Sequence, residues 1–178
     1  PAAKIIATEL KKASNEFFVA GLIHDIGKLV IYITLPNEFL KLVKATRHLK
    51  LKFMAFETEK RVIGMTHDEV GMRLLKKWMF PESLLTAIGF HHRLQETEKK
   101  SLLPVVVHIA DIFAHLYEMQ TVVEVDDPLK TETLFPDIIK LAQSYEIEWD
   151  ESDLNRLQQS LTESIEKEAV AFSLFFGN

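Results

Sequence analysis

The sequence predicts an all-α fold, a compact bundle of many helices, and three observations predict it. Apolar residues recur at i, i+3, i+4 and i+7 through most of the 178 residues. No run alternates apolar and polar residues between hairpin turns, as a half-buried strand would. Pro36, Pro81, Pro104 and Pro136 fall at or just inside the starts of periodic segments, where a missing N–H costs little.

Taken in order, the periodicity places helices near 2–13, 16–26, 37–47, 53–63, 67–79, 82–91, 101–119, 134–144 and 151–174. Ala2, Ile5, Ile6 and Leu10 keep helical spacing from the outset, so the chain is expected to open inside a helix whose upstream part is missing. The segment LVIYITL at 29–35 is rich in β-branched residues yet bracketed by helical patterns, and reads as helix or as a short extended link. Thr66 is placed to cap the helix at 67, and Asp150 or Ser152 the last one. Residues 122–136, VVEVDDPLKTETLFP, break the periodicity and form the weak joint. The expected organisation is therefore a core at 1–121 and a helical extension at 122–178 packed on the same single domain. In the final segment, AVAFSLFFGN, the residues Phe172, Phe175 and Phe176 read either as docked on the core or as a face for a partner.

Composition narrows the function. With 47% hydrophobic and 26% charged residues and only six Gly and six Pro, the chain is a globular protein. Its 21 basic and 26 acidic residues give a net charge of −5, opposite to the footprint that binding a phosphate backbone requires, so no direct nucleic-acid partner is expected. No uninterrupted apolar stretch reaches membrane-span length and no signal peptide is legible, which leads to a cytoplasmic expectation without membrane contact. Without Cys, any metal must be held by His and carboxylates.

The placement of those residues is informative. His24-Asp25 follows the apolar run FFVAGLI, at what should be the end of a buried helix, where Asp25 needs a cation; the bland alternative is an exposed helix end. His67 opens a helix, as a ligand or as an ordinary terminal His. His91-His92 closes the helix PESLLTAIGF, and adjacent helical residues point about 100° apart, so both can face one centre only where the helix stops. Asp111 interrupts LLPVVVHIADIFAHL, a position hard to explain without a positive partner. His108 and His115 share its face and read as polar or supporting residues, since that helix also needs a solvent side. His48, in KATRHLKLK, reads as a surface residue.

In their order and spacing, GLIHDIGK at 21–28, GMTHDEVGMRLLKKWMFPESLLTAIGFHH at 64–92 and IAD at 109–111 resemble the HD superfamily, in its HDOD branch. The resemblance covers roughly residues 2 to 120 and implies a helical HD-type bundle. It implies a first metal site from His24, Asp25 and Asp111, joined in the superfamily by an upstream His that this chain does not contain. A second set, His67, His91 and His92 with Asp25 bridging, is similar to that of the HD-GYP branch. The chain departs from that branch after the His pair, running Arg93-Leu94-Gln95-Glu96 with no GYP loop, which speaks against cyclic dinucleotide hydrolysis.

Two functions follow from the resemblance. The first is a metal-binding regulatory domain of bacterial signal transduction with a protein partner. The alternative is a metal-dependent phosphohydrolase or phosphodiesterase acting on a nucleotide-like phosphoester, with Asp25 bridging the ions, a metal-bridged hydroxide attacking phosphorus, and Lys28 neutralising phosphate charge. Lys28 also reads simply as a helix-end residue. One or two divalent transition-metal ions are expected, Fe, Mn, Ni or Zn, with Mg less suited to so many imidazoles.

Overall fold

A computed structural model describes residues 1–46, 56–97, 101–121 and 134–176, apart from the side chains at 14, 119–121 and 169–176. The described residues form ten α-helices and a 3₁₀ turn, with no strand among them. The helices are α1 (Ala2–Glu9), α2 (Ser14–Ile23), α3 (Ile26–Thr34), α4 (Pro36–Thr46), α5 (Phe56–Ile63), α6 (His67–Lys77), α7 (Glu82–Phe90), α8 (Leu102–Thr121), α9 (Phe135–Ser144) and α10 (Glu151–Phe176). His48, most of the joint at 122–136, and the side chains of Phe172, Phe175 and Phe176 lie outside the described residues.

α8 is the hub. Val105, Val106, Ile109, Phe113 and Leu116 are buried on nearly every side of it, as in a helix enclosed by others, and α1, α2 and α7 all pack against it. α10 reaches the core through Leu154, Leu157 and Leu161 and touches α1 and α9. Its start is capped by Asp150, whose Oδ1 accepts from the N–H groups of Ser152 and Asp153 at 2.8 and 3.0 Å.

The ambiguous segment 29–35 is helical. Tertiary packing overrides its β propensity: Gly27 and Ile31, one turn apart, are buried, and α3 packs on α6, while Leu29, Tyr32 and Ile33 stay exposed. The contact is as close as backbones allow, since a Cβ on Gly27 would lie 1.8 Å from the His67 carbonyl oxygen. Glycine there is what lets Asp25 meet His67. α1 stops at Glu9, earlier than its periodicity suggests, because Lys11 turns to φ 54°.

One described helical stretch, Asn15–Thr34, has the length and the mean hydropathy, 1.6, of a membrane-crossing helix. It is broken at its middle, between α2 and α3, by His24 and Asp25.

Candidate metal centre

Four helix ends or starts converge beside the hub, α8. α2 ends just before His24, α3 begins after Asp25, α6 opens with His67, α7 ends before His91, and α8 passes behind with Asp111. The His pair sits just past the last residue of α7, the place where the two rings can turn to one centre. Their ring centroids are 4.0 Å apart, and both face His67.

Hydrogen bonds on the far side of each ring fix what it presents. His91 Nδ1 lies 2.8 Å from the Ile88 carbonyl oxygen, which only accepts, so Nδ1 carries the proton and Nε2 the lone pair. His67 Nδ1 lies 2.6 Å from Glu59 Oε2, with the same consequence for a carboxylate partner. The inward nitrogens then meet: His67 Nε2 is 3.4 Å from His91 Nε2 and 3.2 Å from His92 Nε2. Asp25 Oδ1 stands 3.2 Å from the same His67 nitrogen. Phe56 stacks on His92, with the planes only 7° apart.

The other end carries charge. His24 Nδ1 faces the Gly21 carbonyl oxygen at 2.9 Å, and its Nε2 lies 3.3 Å from Asp111 Oδ1 and 3.6 Å from Asp25 Oδ2. Lys28 Nζ donates to Asp25 Oδ2 at 2.7 Å. Asp111 Oδ2 is buried with no hydrogen-bond partner, and Asp111 Oδ1 is also 3.3 Å from His115 Nε2.

The electrostatics of the two ends differ accordingly. Burial pushes the His91 imidazole down, helped by His67 and His24, to about 3. Burial also holds His92 far below the ordinary value, with His91 and His67 adding to it. Both rings are neutral at pH 7. Burial opposes ionisation of His24 and Asp25 too, but is outweighed. The Asp111 hydrogen bond and the Asp25 charge raise His24, while His24, Lys28 and His67 hold Asp25 well below the usual carboxylate range.

Among the described residues, two groups of three have ligand atoms all within 4.8 Å of one another: His67, His91 and His92, and His24, Asp25 and His91. The structure thus brings together His24, Asp25, His67, His91 and His92. Asp111 belongs to neither group and reaches the cluster through His24. Lys28 is at the rim on Asp25. His108 and His115 do not line a solvent side, which on α8 is thin; His108 hydrogen-bonds the His91 backbone and His115 stands on Asp111.

Two features were not anticipated. Glu59, 1% exposed, accepts through Oε2 from both the backbone N–H and the ring Nδ1 of His67. Its signal was available: Phe56, Glu59 and Ile63 share one face by their i, i+3, i+7 spacing, so a Glu interrupts an apolar stripe. Asp68, 0% exposed, is bound by Arg93, whose Nε and Nη2 lie 3.2 and 3.1 Å from Asp68 Oδ2, while Nη2 also donates to the Gly89 carbonyl at 3.1 Å. Arg93 follows the His pair directly, so this bond ties the end of α7 to the start of α6.

A bundle of short helices with His and Asp gathered at their ends is the architecture of an HD-type fold, and comparison with known proteins agrees. The family model of the HDOD domain matches residues 1–94, more than half of the chain, and the chain belongs to that family. A solved HDOD domain protein of unknown function from Geobacter sulfurreducens is similar in structure, with a TM-score of 0.68 and 26% identity, covering 98% of this chain and 58% of that one. A crystal structure titled "putative phosphohydrolase" from Shewanella amazonensis SB2B gives a TM-score of 0.67 at 20% identity, over 90% of this chain and 54% of that one, and shares the fold. An uncharacterized protein of Treponema pallidum (strain Nichols) is 29% identical over 91 residues, 50% of this chain and 17% of the relative. The chain therefore spans only part of each of these proteins.

Proposed function

We propose that this HDOD domain is a metal-binding regulatory module of bacterial signal transduction, cytoplasmic, with a protein partner and without direct nucleic-acid or membrane contact. The observation that carries the metal reading is the convergence of inward nitrogens. His67 and His91 each have Nδ1 committed to an outer acceptor, and their Nε2 lone pairs face each other at 3.4 Å with His92 Nε2 beside them. Lone pairs at that separation repel unless a cation lies between them, and burial disfavours protonation of His91 and His92. Asp25 Oδ1 adds an anionic oxygen on the same side.

His91 has one nitrogen left to offer, so it serves one ion, although it stands in both groups of three. The first ion is accordingly held by His67, His91, His92 and Asp25. A second, weaker position is formed by His24, Asp25 Oδ2 and Asp111, where it must displace Lys28 from Asp25. Imidazole with carboxylate suits Fe, Mn, Ni or Zn better than Mg. Elemental analysis of protein purified without chelator tests this reading: one or two transition-metal ions per chain are expected, and a chain free of them would refute it.

A second reading is favoured by the rim. The Asp25 side chain is 33% exposed and Lys28 beside it 28%, so the cluster opens where a nucleotide-like phosphoester could approach. A divalent ion there supplies Lewis acidity towards phosphate and water. Lys28 would orient the anion and offset its charge, and Asp25 would hold its place between the two positions. Assays of phosphomonoesters and phosphodiesters with added Mn or Fe separate the readings. The regulatory one expects wild type and Asp25→Ala to show equal background rates; a clear excess for wild type assigns phosphohydrolase activity.

A further inference from the structure

We infer that Glu59 is a positioning residue of the centre, setting the tautomer and strengthening the donor nitrogen of His67; the inference rests on the metal reading above for its consequence but not for its geometry. Glu59 is the one residue of α5 described as buried, and it is a charged one. An ionised carboxylate at that depth costs several kcal/mol unless its lone pairs are satisfied. Here a single oxygen, Oε2, accepts both the His67 backbone N–H at 2.7 Å and Nδ1–H at 2.6 Å. Those two donors stand at the first turn of α6, the positive end of its dipole, which offsets part of the burial cost.

The consequence falls on the opposite side of the ring. With Nδ1–H donated to a carboxylate, Nε2 holds the lone pair and is aimed at Asp25 and the His pair. His24 and His91 are steadied differently, by carbonyl oxygens three residues back in their own helices. A carbonyl is a dipole; Glu59 brings a full charge from another helix, and a carboxylate behind an imidazole makes its free nitrogen a better donor. His67 is therefore the strongest nitrogen donor of the three, although it lies deepest with 1% exposure. Phe56, one turn before Glu59, stacks on His92, so α5 backs both rings although it supplies no inward-facing donor.

A purely structural role would be to cap α6 through the His67 N–H, and Gln would serve that nearly as well. The test uses Glu59→Gln, close to isosteric, with Glu59→Asp as a second variant should it fold poorly. Nitrogen-15 NMR of the histidine rings reads the tautomer without metal, and titration with Zn²⁺ or Mn²⁺ reads affinity. The expectation is that wild-type His67 is wholly the Nδ1–H tautomer, that E59Q becomes mixed, and that its metal affinity falls about 10- to 100-fold with the helical fold retained. An unchanged tautomer and unchanged affinity in E59Q would overturn the inference and leave Glu59 a cap. If wild type binds no metal, the metal reading fails, whereas the tautomer shift still decides the role of Glu59.

Discussion

The two ends of the cluster are built on opposite principles. At one end His67, His91 and His92 are inward-facing rings in a dry place, propped from behind by Glu59, the Ile88 carbonyl and Phe56. At the other, Asp25 and Asp111 are ionised and already answered by Lys28 and His24. The charged end balances itself; at the imidazole end the Nε2 lone pairs of His67 and His91 face each other at 3.4 Å. An added cation is consequently worth most where the protein carries the least charge, and the two positions should fill in sequence rather than together.

The largest way to break this arrangement is to separate α3 from α6. Gly27→Ala would drive a Cβ into the His67 carbonyl oxygen, which is backbone and cannot swing aside. We expect a loss of about 3 kcal/mol or more and of both metal positions, measured by chemical denaturation and elemental analysis. Retention of both would mean the helices are free to part. Next comes His91→Ala, which removes the ring common to both groups of three. The tightly held equivalent should be lost while circular dichroism stays helical, leaving at most the weaker position of His24, Asp25 and Asp111, and full wild-type metal content would show that His91 is not a donor.

Arg93→Ala should act on stability first. It leaves Asp68 fully buried without its cation, a change worth about 3 kcal/mol, at the low end for buried pairs because Arg93 is partly exposed. Restoring most of that loss in Arg93→Ala with Asp68→Asn would identify the unpaired charge as the cause. The smallest effect is the pH dependence of the metal-free protein. A His lowered in the folded state contributes stability that is full above the unfolded value near 6.5. That stability is lost as pH falls from there towards about 3, where His91 takes up its proton. His24, raised on folding, acts in the opposite sense and is most stabilising below 6.5. Two lowered rings at the imidazole end outweigh it, so net stability should decline between pH 6.5 and 4, and His92→Gln should flatten that slope. A flat wild-type profile would contradict the difference drawn between the ends.

Much of this was legible in the sequence because helical periodicity and sharp helix ends carry it. His24, Asp25, His67, His91 and His92 all sit at termini, where a polar residue beside an apolar run is conspicuous, and all five meet. The fate of 29–35 was not legible, since its propensity is β-like and the deciding factor is a backbone contact at Gly27 with a helix forty residues away. Glu59 escaped notice because FETEKRVI reads as a charged surface helix; only the shared face of Phe56, Glu59 and Ile63 betrays it. The Asp68–Arg93 pair spans 25 residues, and no local pattern announces a partner at that distance.

The most direct measurement is a crystal structure of protein purified without chelator, with anomalous diffraction collected at the edge of whichever metal elemental analysis finds. A strong peak is predicted within about 2.0–2.3 Å of the Nε2 atoms of His67, His91 and His92, filled ahead of any peak between His24 and Asp111. A centre holding only water, with the three rings turned from one another, would contradict it.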